Sequence, residues 1–139
     1  MMTINTKKFE ADIMKFAEQV KIAPALVVRK LTLDIFGDLL ASSPVDTGRF
    51  RANWVVSVSQ PARRILWAMS NIGKQMQVQL DLAAKRVAQT DGSEVIWITN
   101  NLPYAVPLNE GWSKQAPAGF VQMAILKNVK PISDVVSAA

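Results

Sequence analysis

Apolar residues recur every three or four positions from Phe9 through Ile13, Phe16, Val20, Ala23, Val27, Leu31 and Ile35 to Leu39, which gathers them on one side of a helical path. The spacing predicts a long amphipathic N-terminal helix. Asn5 or Thr6 can cap its first amides, and Glu10 and Asp12 suit the positive end of its dipole. Pro24 cannot donate an amide and crowds the preceding turn. Because the apolar stripe continues through it, a kink in one helix is expected rather than two helices meeting.

The pattern changes at "SSPVDTG". Pro44 disfavours helical geometry at Ser43, Asp46 can fold its carboxylate onto the following amides, and Gly48 permits positive φ, so the chain reverses there. Beyond it, Phe50, Ala52, Trp54, Val56 and Val58 alternate with Arg49, Arg51, Asn53, Ser57 and Ser59. This period of two predicts a half-buried strand with a basic outer face, broken only by Val55. Gln60 and Pro61 close it.

"ARRILWAMSNIG" fits either period and is expected to be a loop or short strand. From Lys74 onward, Met76, Leu80, Ala83 and Val87 take helical spacing, with Lys85 and Arg86 in the last turns and Asp91-Gly92 as the stop. "EVIWITN" is β-branched and aromatic, apolar on both faces, and reads as a central strand. Asn100-Asn101 and Pro103 then turn the chain. After the irregular stretch "PYAVPLNEGWSKQ", a last helix is expected from near Pro117 through Val121, Ile125 and Val129, ending at Pro131. The resulting fold class is α+β: a long N-terminal helix and further helices on a small, mainly antiparallel sheet. Residues 1–130 form one domain, with 131–139 as a flexible tail.

The chain has 139 residues, half of them hydrophobic, enough to bury a core without a covalent staple. Cysteine and histidine are both absent, which removes disulfides, thiolate metal sites, the commonest general base and the commonest zinc ligand. No apolar run approaches the roughly twenty residues of a membrane span, and the start "MMTINTKKFEADIMK" lacks a signal-peptide core. Synthesis in the cytoplasm and no membrane partner are expected.

The net charge of +5 is concentrated in the middle of the chain. Arg49, Arg51, Arg63, Arg64, Lys74, Lys85 and Arg86 are opposed there only by Asp81 and Asp91, a segment suited to nucleic acid, to an acidic protein surface or simply to solvent. Catalytic signals are weak. Asp81, Asp91, Glu94 and Glu110 show no motif spacing, and GxSxG, P-loop and HExxH patterns are absent. Adjacent Ser113 and Lys114 give only poor grounds for a hydrolase. Trp54 and Trp67 interleave with the basic residues, as base-stacking surfaces do, yet Trp54 shares its face with Phe50, Val56 and Val58 and so reads as core. Trp112 stands among Gly, Ser, Lys and Gln with no local demand for burial, the situation of a contact residue.

Two stretches carry more than generic physics. "SSPVDTGRFRANW" resembles the Pro-Val-Asp-Thr-Gly, basic, aliphatic, Arg signature of the neck or tail-completion (head-tail joining) proteins of long-tailed bacteriophages. "NNLPYAVPLNEGWSKQAPAGFVQMAI" resembles the Tyr-Ala, Leu, Glu, Gly and Gln-Ala-Pro hook of the same family, and the likeness covers most of residues 10–130. It implies a structural virion protein that closes as a ring of six subunits at the capsid-tail junction, in the neck or upper tail. Its partners would be its own copies and the adjacent head-closure and tail-terminator or tail-tube proteins, with weak contact to double-stranded DNA in the channel. No cofactor, metal or catalytic residue is implied.

By this resemblance Pro44, Asp46, Thr47 and Gly48 form the structural turn and strand start. Arg49 and Arg51 belong to the same strand start, and Tyr104, Glu110, Gly111, Trp112, Gln115, Pro117 and Gly119 form a hook that bears on a neighbouring subunit or ring. On charge rather than resemblance, Arg49, Arg51, Arg63 and Arg64 are the candidates to pair with an acidic adjacent ring or subunit. The family more often places its acid directly after the leucine, where this chain has Asn109 and then Glu110. The stretch 60–92 is longer than in many members. The competing reading is a small basic DNA-binding accessory protein, which lacks a groove-reading motif here.

Overall fold

A computed structural model describes residues 2–5, 10–44, 48–67, 75–91, 93–112, 116, 118 and 119–138, with the side chains of 2–5, 10, 112, 133 and 136–138 left aside. The architecture is α+β. Three antiparallel strands, β1 (Met2–Asn5), β2 (Val55–Val58) and β3 (Ile96–Asn100), lie in the order β1-β3-β2, so the expected strand at 94–100 is indeed the central one. Its register sets Met2 opposite Asn100 on one side and Val55 opposite Thr99 on the other. Ile96, Ile98, Thr99 and Asn100 are fully buried.

The N-terminal apolar stripe folds as two helices, α1 (Glu10–Val20) and α2 (Pro24–Ser42), which corrects the expected single kinked helix. Lys21 adopts positive φ (58°) and the Ile22 N–H reaches back to the Ala17 carbonyl at 3.0 Å. That is a Schellman stop, in which a left-handed residue lets the chain satisfy the last carbonyls of the helix. Pro24 then opens α2, where its missing amide costs nothing, and holds Ala23 extended at ψ 132°. The proline therefore starts a helix instead of bending one. Asn5, a candidate cap, lies in β1 opposite Trp97, while Thr6 and Phe9 fall outside the described residues.

The strand expected from Phe50 begins only at Val55, because Arg49–Ala52 form a single helical turn, α3. Phe50 and Trp54 are one helical turn apart and both buried, so the alternation was satisfied by a turn followed by a short strand. Asn53, expected on the outer face, is buried instead. Residues 61–67 are irregular, without a strand. Helix α4 (Met76–Val87) follows the predicted spacing and buries Ala83 and Val87, although Lys74 and Gly92 are outside the described residues.

A short turn α5 (Ala105–Pro107) runs into a wide π-type turn (Leu108–Trp112) interrupted at Gly111, and α6 spans Phe120–Ala138. Pro131 does not stop α6, and the segment expected as a tail is helical through Ala138. A proline removes one helical hydrogen bond. Val129 before it and Ile132 after it both pack against the core, and this burial holds the helix across the gap. One hydrophobic core, centred on Ile35, Phe36, Leu39, Trp54, Ile98 and Phe120, joins the helices to the sheet. Among the described residues, no helix is long and apolar enough to cross a membrane.

Candidate functional site: two convergent segments and an arginine-rimmed groove

The first segment begins where α2 ends. Ser43 turns extended (ψ 139°), its amide and hydroxyl both donating to the Leu39 carbonyl, at 3.0 and 2.5 Å. Its Oγ also accepts the indole N–H of Trp54 at 2.9 Å, so the end of the helix and the start of β2 are joined inside the core. Pro44 is buried beside it. Gly48 is left-handed (φ 86°, ψ −4°), and its carbonyl takes the Ala52 amide at 2.9 Å. The expected glycine corner is therefore present; Asp46 and Thr47 lie outside the described residues.

The second segment meets the first at Phe50. The rings of Trp54, Tyr104 and Phe120 surround it, with centroids 5.8, 6.4 and 6.2 Å away, and the Trp54 and Phe120 contacts are edge-on, an arrangement aromatic quadrupoles favour. Asn100 ties the backbones together. Its Nδ2 donates to the Phe50 carbonyl at 3.0 Å and its Oδ1 accepts the Leu102 amide at 3.2 Å.

The hook itself is closed by Asn109. Gly119, at φ 78°, precedes α6 and has no side chain with which to cap it. Asn109 supplies the cap from a distance: its carbonyl accepts the Gly119 amide at 2.6 Å and its Oδ1 the Val121 amide at 2.9 Å, while its Nδ2 donates to Gln122 Oε1 at 2.8 Å. This fills the role of an N-cap side chain. Gly111 is left-handed (φ 97°), and a Cβ there would sit 3.1 Å from that of Ala118. Glu110 and Gly111 are exposed and Tyr104 is half-buried. The Trp112 side chain, Gln115 and Pro117 lie outside the described residues.

The four candidate arginines divide. Arg49 and Arg51 are half-buried on α3, and burial holds the Arg51 guanidinium below its usual pKa; Arg63 and Arg64 are exposed on the 61–67 segment. Two asparagines fix that segment. Asn53 brackets Leu66, accepting its amide at 2.8 Å and donating to its carbonyl at 2.9 Å, and Asn101 donates to Ala62 O at 2.7 Å. Arg64 thereby faces α4. Partial burial and then the neighbouring charge of Arg86 lower its pKa. Arg86 donates to the Val56 carbonyl at 2.9 Å, occupying an acceptor of β2, which among the described residues is an outer strand of the sheet.

Between α4, β2 and the 61–67 segment lie two contiguous cavities, of about 230 and 410 Å³, which share Val55, Val56, Arg64 and Arg86. Sequence reasoning missed this groove, and it missed Asn53, Asn100, Asn101 and Asn109 as the side chains that hold the site. Only Asn109, at a position where the resembling proteins more often carry an acid, was singled out beforehand, and for a different reason. Among the described residues no three of Asp and Glu converge as a metal site would require. Neither family models, curated proteins nor solved structures provide a match to this chain.

Proposed function

We propose that this chain is a structural virion protein of the neck or tail-completion class, closing as a six-membered ring at the capsid-tail junction around the DNA channel. The observation that carries the reading is the contact between the two signature segments: Phe50 of the first lies against Tyr104 and Phe120 of the second, and Asn100 bonds the Phe50 carbonyl. Segments that carry a family pattern and brace one another define a rigid subunit shape, which is what a ring needs. Cyclic closure requires two different complementary patches on each copy. The exposed acid Glu110 on the hook and the exposed Arg63 and Arg64 offer unlike charges for that purpose, and the half-buried Arg49 and Arg51 add further positive charge.

Electron microscopy of the purified chain, alone and with tail tubes, tests the ring: six-fold collars support it, and a monomer that neither closes nor joins tubes overturns it. In the assembled particle, Arg63→Glu with Arg64→Glu should impair tail joining more than DNA retention. The arginine-rich groove also favours a second reading, direct DNA binding. Its signature is affinity that falls steeply between low and moderate salt as phosphate contacts are lost.

A further inference from the structure

We infer that the groove between α4, β2 and the 61–67 segment is a docking site for an acidic, extended segment of a partner protein, which places an apolar side chain in the inner cavity and carboxylates on Arg64 and Arg86. The proposal rests on the reading of the exposed arginines as protein contacts, but not on ring closure.

Three observations carry it. Charge comes first. Arg63, Arg64 and Arg86 line the groove with no acidic side chain among the lining residues, and the ion pairs of the described residues, Lys30–Asp34, Lys127–Asp38 and Lys130–Asp134, involve none of them. Arg64 and Arg86 are near enough to lower the pKa of Arg64. An incoming carboxylate relieves that repulsion and takes charge-assisted hydrogen bonds from planar donors suited to it.

Shape comes second. The inner cavity, about 230 Å³, is walled by Phe36, Trp54, Leu66, Leu82 and Ala83. That volume is below the roughly 300–1,000 Å³ of small-molecule sites. On its own it has room for one side chain, with the rest of an occupant left to the outer cavity of about 410 Å³. The outer cavity continues it along β2 past Val58 and Arg63, so an occupant must be elongated. Arg86 already covers the Val56 carbonyl, which weakens this edge as a template for strand addition and leaves recognition mainly to side chains.

The third observation is aromatic. Trp67, adjoining Leu66, is 54 % exposed, and Leu82 at the groove is 46 % exposed. A tryptophan exposed on the same 61–67 segment as Arg63 and Arg64, next in sequence to the groove-lining Leu66, has the composition of protein-binding hot spots. Within the groove itself no ring face is open for base stacking, since Phe36 and Trp54 in the cavity wall are 2 % and 1 % exposed and Trp67 is not among the lining residues.

The test is fluorescence anisotropy on the intact chain with three labelled probes: a short peptide alternating glutamate and valine around one leucine, the same peptide with glutamine for glutamate, and a DNA duplex. The acidic peptide is expected to bind about tenfold tighter than its glutamine counterpart, the worth of a charge-assisted hydrogen bond. Arg64→Gln should remove that preference. Leu82→Glu, on an exposed position, should do the same by placing a carboxylate at the groove, with circular dichroism verifying the fold of each variant. Equal binding of the two peptides, absence of binding, or duplex binding tighter than the acidic peptide and lost in the same variants would each overturn the proposal. Ring images are a separate readout, so collars formed by a chain that ignores the acidic peptide would sink the groove and leave the ring reading intact.

Discussion

Asn109 caps the last helix in place of the residue that precedes it: its Oδ1 accepts the Val121 amide at 2.9 Å, where Gly119 has no side chain to offer. The same residue accepts the Gly119 amide through its own carbonyl, so the hook and α6 are closed by one side chain and one peptide group. Asn109→Ala should destabilise the fold by about 1–2 kcal/mol, the upper range for loss of a cap. Asn109→Asp keeps an acceptor at the positive end of the helix and should stay within about 0.5 kcal/mol of the parent. Urea unfolding of both variants checks the pair; equal losses would refute the capping role.

At Gly111 the constraint is both conformational and spatial. With φ at 97° and the Ala118 Cβ 3.1 Å from where a side chain would begin, Gly111→Ala should cost at least about 1–2 kcal/mol. Gly37 is a control. It lies inside α2, and a Cβ there would meet only Leu80 at 3.6 Å, an ordinary contact, so Gly37→Ala should stabilise by about 0.5–1 kcal/mol. Thermal melts of the two variants should move in opposite directions.

Ser43 and Trp54 form a buried polar pair. Removing the hydroxyl alone leaves an indole N–H without its acceptor, so Ser43→Ala should cost about 1–3 kcal/mol. Combining it with Trp54→Phe should cost less than the sum of the single changes, because the second substitution removes the stranded donor. A double-mutant cycle by urea denaturation measures the coupling, and strict additivity would argue against it.

Asp91 has its pKa held below the usual carboxylate value, first by the Ser93 hydroxyl and then by the Ser93 amide. A folded-state pKa that is depressed gives stability present above the unfolded value, near 3.8, and lost as pH falls through the folded one. Asp91→Asn should therefore flatten the acid limb of the stability profile below about pH 4 and leave its slope near neutrality unchanged. Urea midpoints measured across that range decide it.

Where the chain announced its structure, the reason was local. Val87 and Ala83 fell on the buried side of α4 because helical spacing brings them to one face, and the β-branched run at 96–100 became the central strand. Gly48 took the left-handed geometry expected of it. Errors came where two conformations satisfy one pattern. Phe50, Ala52 and Trp54 are buried, yet through a helical turn, and Pro24 fits equally within a kink or at a helix start. β1 was invisible for a different reason: its partner, β3, lies far away along the chain, as in the pairing of Met2 with Asn100.

By itself the sequence determined the helix and turn preferences, the buried class of most apolar positions and the clustering of positive charge, since these depend on neighbours along the chain. Tertiary structure alone decided that Asn109 reaches the start of α6, that Asn100 bridges to Phe50, and that Arg64 stands beside Arg86 over an apolar cavity. Each is a pairing between distant segments, and polar partners of that kind are selected by the direction in which packed elements aim their side chains, a quantity that no local spacing encodes.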